Sequence, residues 1–169
     1  RAVGDHVADL HFIAHAHELG LLVHVDGSRI ANAIAALDVS PSDAIGDADI
    51  VTVGGTKNGM LFGDAVLVRR PEHFGGIHFV QKQIGHLASK HRFVAAPFPA
   101  MLEDGLWLET AAHANAMAKK LSEGMVALGL PLASPTEANE VFVDLDPDVR
   151  QKLSRSYAVH QPDLGLPAV

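Results

Sequence analysis

The stretch "DIVTVGGTKNGM" (residues 49–60) decides how this chain is read. Ile50, Val51, Thr52 and Val53 are strand formers, and the run stops abruptly at Gly54-Gly55-Thr56-Lys57-Asn58-Gly59. β-Branched residues suit a buried pleated surface, whereas Gly and Asn tolerate the backbone that ends one. A lysine at that mouth is either an ordinary solvated charge or an amine held where a reaction needs it.

The flanking sequence supplies context. Residues 7–19 carry Val7, Leu10, Ile13, Ala14 and Leu19 at helical spacing, with Gly20 as a stop. "LLVHVD" (21–26) predicts a strand, "SRIANAIAAL" (28–37) a helix, and "ADIVTVGG" (48–55) and "DAVLVRR" (64–70) two more strands. Continuous apolar runs, rather than strict alternation, indicate strands covered on both faces, as in parallel sheets. Pro71-Glu72 opens a short helix, and a longer one is expected over 79–96. Pro97 and Pro99 break it and start a long helix over 99–128, whose later face repeats Met117, Leu121, Met125 and Leu128. A strand over 139–145 and a helix from Asp146 follow. Strand and helix alternate as far as the long helix, which predicts an α/β fold with a mainly parallel sheet. The expected organisation is a large domain over 1–98, a linking helix over 99–128 and the start of a small α+β lobe over 129–169.

Composition narrows the function. The chain has 169 residues, 48% of them hydrophobic and 20% charged, which suits a folded domain with a real core. A formal net charge of −7 and the lack of any Lys/Arg run argue against general nucleic-acid affinity. With no cysteine, disulfide and thiolate chemistry are excluded, and a cytoplasmic setting is expected. No apolar run reaches membrane-spanning length. The opening at Arg1, without Met, and the ending at "GLPAV" are read as the ends of a segment of something longer.

In open α/β sheets, ligands sit beyond the carboxyl ends of the strands. One strand here ends "HVDGSR", with Asp26 at the mouth and Arg29 just inside the next helix; the other ends "GGTK", with Thr56 and Lys57 at the mouth. Asp26 and Lys57 are about 30 residues apart, the length of a strand, crossover helix and neighbouring strand. A carboxylate, a guanidinium and an amine converging on one crevice are what a pyridoxal phosphate site requires. The amine must be partly desolvated or near other cations to react with the cofactor aldehyde. The carboxylate keeps the ring nitrogen protonated, and an arginine binds a carboxylate bidentately. The alternative is that Asp26 caps the following helix and Lys57 is solvated.

The segments "HVDGSRIANA", "GGTKNGM" and "SKHRFVAAPFPAMLEDGLWLETAAHANAMAKKL" resemble the pyridoxal-phosphate-dependent threonine aldolases, close to the β-eliminating lyases. The resemblance runs from about Leu10 to Leu145. It implies the aspartate aminotransferase-like fold, with the 1–98 stretch as part of the large cofactor-binding domain. It makes Lys57 the Schiff-base lysine, Asp26 the partner of the ring nitrogen, Arg29 a ligand of the substrate α-carboxylate and Thr56 a neighbour of the cofactor. Lys90 and Arg92 of "SKHR" fall where such enzymes place residues near the phosphate. The activity implied is aldol cleavage of L-threonine and other β-hydroxy-α-amino acids to glycine and an aldehyde. A homo-oligomer, dimer or tetramer, is implied as well. Further phosphate contacts, a histidine stacked on the ring and another carboxylate-binding arginine are expected outside this segment, so the segment alone is expected to be inactive. The alternatives are a related β-eliminating lyase or a non-catalytic truncated product.

Eleven histidines raise a metal reading, since His11 and His15 stand at i and i+4 with His17 and His24 nearby. No zinc-protease glutamate follows His11, and structural or surface roles are expected. His113 and Asn115 are expected to serve packing or a subunit contact, and Trp107 to lie in a core or an interface.

Overall fold

The computed structural model describes residues 6–159, with side chains described from residue 11 onward. The side chains of Val7 and Leu10 of the first helical face, the first five residues and the end of the 129–169 stretch lie outside that description. Helix α1 (His6–Glu18) is followed by β1 (His24–Gly27), α2 (Ile30–Leu37), a short α3 (Pro41–Ile45), β2 (Ile50–Gly54) and β3 (Asp64–Val68). Then come α4 (Ile77–Gln83), α5 (Arg92–Ala95), α6 (Pro97–Leu102), the long α7 (Leu106–Ala127) and α8 (Pro147–Leu153).

The three strands form one sheet in the order β1-β2-β3. Strands β1 and β2 are parallel, with Asp26 opposite Thr52, and α2 makes the crossover between them. Strand β3 instead runs antiparallel to β2, with Thr52 opposite Val66, so the described sheet is mixed within its α/β class. The cause is the connection over residues 55–63, shorter than the dozen or so residues a parallel crossover needs. Gly55 N–H donates to the Gly63 carbonyl at 3.0 Å and closes this short link.

Beneath the sheet, Ile34 and Val51 are 2% and 1% exposed, and α2 lies against α7. The face of α7 that turns inward is Ala111, Ala118 and Ser122. Met117, Leu121 and Leu128, expected on the packed face, are exposed. Small residues let the two helices approach closely, and a reciprocal amide pair fixes their register. Asn32 Nδ2 donates to Asn115 Oδ1 at 3.0 Å, and Asn115 Nδ2 donates to the Asn32 carbonyl at 2.9 Å. Asn115 thus serves packing, and Trp107 is half-buried.

Other boundaries also move. Strand β1 starts at His24 rather than Leu21, and Leu21 and Leu22 are exposed. The helix expected over 79–96 is split in two, and Gly85, at φ +78, lies after the first piece. The helix expected over 99–128 begins at Leu106, because Asp104 (φ 53) and Gly105 (φ 74) are left-handed and divide it from α6. No strand forms over 139–145. Leu132 and Val143 make a single antiparallel bridge, flanked by Ala133 N–H to the Phe142 carbonyl and Asp144 N–H to that of Pro131. Pro131 and Pro135 have no N–H with which to extend the ladder.

At the opposite end of β2 from its glycines, Asp49 is fully buried. Its Oδ2 accepts from Val23 N–H at 2.6 Å and lies 3.0 Å from His17 Nε2, while Arg70 Nε lies 3.1 Å from Oδ1. Burial pushes the Asp49 carboxyl up, but the Val23 N–H, His17 and Arg70 outweigh it and hold the group below its ordinary value. Asp49 therefore contributes stability above pH 3.8, its value in the absence of these partners, and that contribution is lost as pH falls through its lower folded value. Arg70→Met leaves a buried carboxylate short of a cation. It should cost about 3 kcal/mol at neutral pH by urea unfolding, and the deficit should shrink in acid as Asp49 is protonated.

Candidate active site at the carboxyl ends of β1 and β2

Because β1 and β2 are parallel and adjacent, their carboxyl ends open on the same edge of the sheet. Asp26 stands at the end of β1, and Lys57 lies three residues past the end of β2, in a 3-10 turn over Thr56–Asn58. That turn is fixed from below. The Gly55 carbonyl accepts from Asn58 N–H at 2.9 Å and Met60 N–H at 3.1 Å, and both side chains are buried. Asn58 Nδ2 lies 3.9 Å from Met101 Sδ, which ties the turn to α6.

Two glycines set how closely the strand ends approach. A Cβ on Gly27 would stand 2.1 Å from the Thr52 carbonyl oxygen. One on Gly54 would stand 2.6 Å from the Ser28 carbonyl oxygen and 2.7 Å from Ser28 Cα. Thr52 stitches the ends together, with Oγ1 accepting from Gly27 N–H at 3.2 Å and lying 3.4 Å from the Val25 carbonyl. No sequence pattern singled Thr52 out for this role; its place opposite Asp26 is set by the strand register.

Asp26 does not cap α2. That helix starts at Ile30 with Arg29 at its N-cap and no side-chain cap bond, so Arg29 sits just before the helix rather than inside it. Asp26 Oδ1 instead accepts from Ser28 Oγ at 2.9 Å and Ser28 N–H at 3.1 Å. Those bonds to Ser28 hold the Asp26 carboxyl below its ordinary value; slight desolvation opposes them, and the charges of His24 and Lys57 add to the lowering. Asp26 Oδ2 accepts no hydrogen bond among the described residues. The Asp-x-Ser pattern was the readable signal for this turn.

Lys57 is exposed, and among the described residues it makes no hydrogen bond or ion pair. It is near enough to Asp26 for its charge to be felt there. The desolvation expected around the amine is not supplied by the described residues. Thr56 is exposed as well, and its hydroxyl has no partner among them. Arg29 points elsewhere: its Nη2 lies 2.8 Å from Glu140 Oε1, beside a cavity of about 380 Å³ that both residues line. Glu140 is a site neighbour that the sequence did not single out. Lys90 and Arg92 make no bond to Asp26 or Lys57, and the Arg92 guanidinium lies 4.9 Å from the Phe93 ring centroid. His17 is committed to Asp49, while His11 and His15 are exposed on α1.

A profile of the beta-eliminating lyase family matches residues 5–148. The chain belongs to the beta-eliminating lyase family. Within it, the chain is 44% identical over 131 residues to a low specificity L-threonine aldolase of Pseudomonas sp. (strain NCIMB 10558), covering 76% of this chain and 38% of that protein. A low specificity L-threonine aldolase of Saccharomyces cerevisiae is 29% identical over 153 residues, covering 84% of this chain and 38% of that protein. The solved structure of Leishmania major threonine aldolase superposes with a TM-score of 0.80 at 30% identity, covering 91% of this chain and 46% of that one. This lyase-family chain thus shares the fold of the part of that enzyme it covers, and it spans 38% of the length of the curated relatives.

Proposed function

We propose that this chain carries the lysine side of a pyridoxal phosphate site, and that the full-length protein cleaves β-hydroxy-α-amino acids, threonine among them, to glycine and an aldehyde. The observation that carries the reading is the pairing of Asp26 and Lys57 at the ends of adjacent parallel strands, close enough to interact electrostatically. Membership of the lyase family and the names of the relatives support it.

The donor set fits the cofactor. Asp26 Oδ1 is occupied by Ser28, which leaves Oδ2 to accept a ring N–H, and a carboxylate held ionised favours a protonated ring nitrogen. Lys57 would hold the aldehyde carbon, and the hydroxyl of the adjacent Thr56 would be available to donate. When bound, the cofactor supplies the electron sink that lets a bond to Cα break heterolytically.

This chain's residues then have distinct tasks. Asp26, held ionised by Ser28, would be the residue that supplies negative charge to the ring nitrogen. Arg29, which in this structure faces Glu140, would turn to take the α-carboxylate in a bidentate grip, restricting rotation about Cα so that one bond is presented for cleavage. Lys57 would be the residue that holds the cofactor until substrate binds, and its exposed Nζ could then carry a proton. Cleavage of Cα–Cβ releases the β-carbon as an aldehyde once its hydroxyl proton is lost, and a proton taken up at Cα gives glycine.

The test is product analysis of the full-length protein with cofactor added. Threonine should yield acetaldehyde and phenylserine benzaldehyde, each with one equivalent of glycine, and Asp26→Ala should lose at least a hundredfold in kcat. A keto acid and ammonia from a substrate with a leaving group at Cβ, without aldehyde, would select the related β-eliminating reaction instead.

A further inference from the structure

Arg29 and Glu140 belong to segments more than a hundred residues apart, yet they meet beside the cavity that Asn32, Asn139 and Phe142 also line. A guanidinium offers five N–H donors in a planar fork. Glu140 engages it at Nη2, at 2.8 Å, and among the described residues no other group bonds to it. The side chains are 39% and 50% exposed, so water screens the pair and the contact is a weak one.

A free amino acid brings a carboxylate of the same charge and shape. Two parallel charge-assisted bonds to the fork are stronger than one screened contact. The two carboxylates cannot share the guanidinium cheaply, because like charges brought together in a cavity repel. Two-point binding of the incoming carboxylate therefore favours release of Glu140. We propose that Glu140 is an internal competitor: it occupies Arg29 while the site is empty and is displaced by the α-carboxylate of the amino acid, so that Glu140 sets the affinity of the site for amino acids. The proposal rests on the reading of the Asp26–Lys57 edge as an amino-acid site with Arg29 as its carboxylate ligand. It deepens that reading by naming the group that substrate must displace. Arg29 is competent to bind only for the fraction of time that Glu140 is away, and apparent affinity falls by that fraction.

Calorimetric titration of the cofactor-loaded, full-length protein with glycine, and with methylamine as a probe lacking the carboxylate, separates the outcomes. Glu140→Gln should bind glycine about threefold more tightly than the parent and bind methylamine equally well. A crystal structure with glycine bound should show the Arg29–Glu140 contact opened. Unchanged or weaker glycine binding in Glu140→Gln, with the parent binding normally, overturns the inference alone, since Glu140 would then be idle or would orient Arg29. No glycine binding by the parent removes the active-site reading together with it.

Discussion

Lys57→Ala is expected to lower kcat/KM for threonine on the order of ten-thousandfold, with little change in stability. The two halves of that expectation have separate causes. The Lys57 side chain is exposed and makes no hydrogen bond or ion pair among the described residues, so its truncation should shift unfolding by no more than about 0.5 kcal/mol. The turn that bears it is held by buried Asn58 and Met60, which the substitution leaves in place. What disappears, on the proposed reading, is the amine that attacks the cofactor aldehyde. Lys57→Arg sharpens the result, because it keeps a positive charge near Asp26 but offers no amine to a carbonyl carbon. If Lys57 acts only through its charge, Lys57→Arg keeps most of the activity. If Lys57 acts as a nucleophile, the two variants fail alike.

The second large effect is expected at Gly27. An alanine Cβ there would stand 2.1 Å from the Thr52 carbonyl oxygen, a backbone atom of the neighbouring strand with no rotamer to move. The backbone of Gly27 is not left-handed, so the cost is steric alone. The ends of β1 and β2 must part, at a cost of about 3 kcal/mol, and the Asp26–Ser28 turn moves with them. Gly27→Ala should therefore lower the urea midpoint and abolish cofactor binding together. Gly75→Ala is the control, since its Cβ meets nothing within 4 Å, and it should change neither. Cofactor binding retained in Gly27→Ala would mean that the close approach of the strands does not shape the site.

Much of this arrangement was legible in the sequence, for identifiable reasons. The apolar runs of β1 and β2, the Ile/Ala face of α2 and the spacing from Asp26 to Lys57 are local patterns, and together they forced one parallel crossover. The reversal of β3 was legible too, but in the shortness of the 55–63 link rather than in its apolar composition, which is blind to direction. Ser40-Pro41 carried the start of α3, with Ser40 Oγ accepting from Asp43 N–H at 3.1 Å, and it lay between stronger signals. Periodicity misjudged α7 because Met and Leu mark an apolar face but not the face a neighbour needs. Ala111 and Ala118 pack because α2 comes close. Arg29–Glu140 was beyond any local pattern. The pair is made by the path of the chain after α7, and a glutamate before a short apolar run looks the same whether or not an arginine waits for it.

The central claim is that the amine of Lys57 captures an aldehyde cofactor, and borohydride trapping reads it most directly. The full-length protein is loaded with pyridoxal phosphate, reduced, digested and mapped by tandem mass spectrometry. The account predicts a single cofactor adduct, on the peptide containing Thr56-Lys57-Asn58, and loss of the visible absorbance band on reduction. An adduct on another lysine with Lys57 unmodified, or no adduct in a protein that still releases aldehyde from threonine, would contradict it.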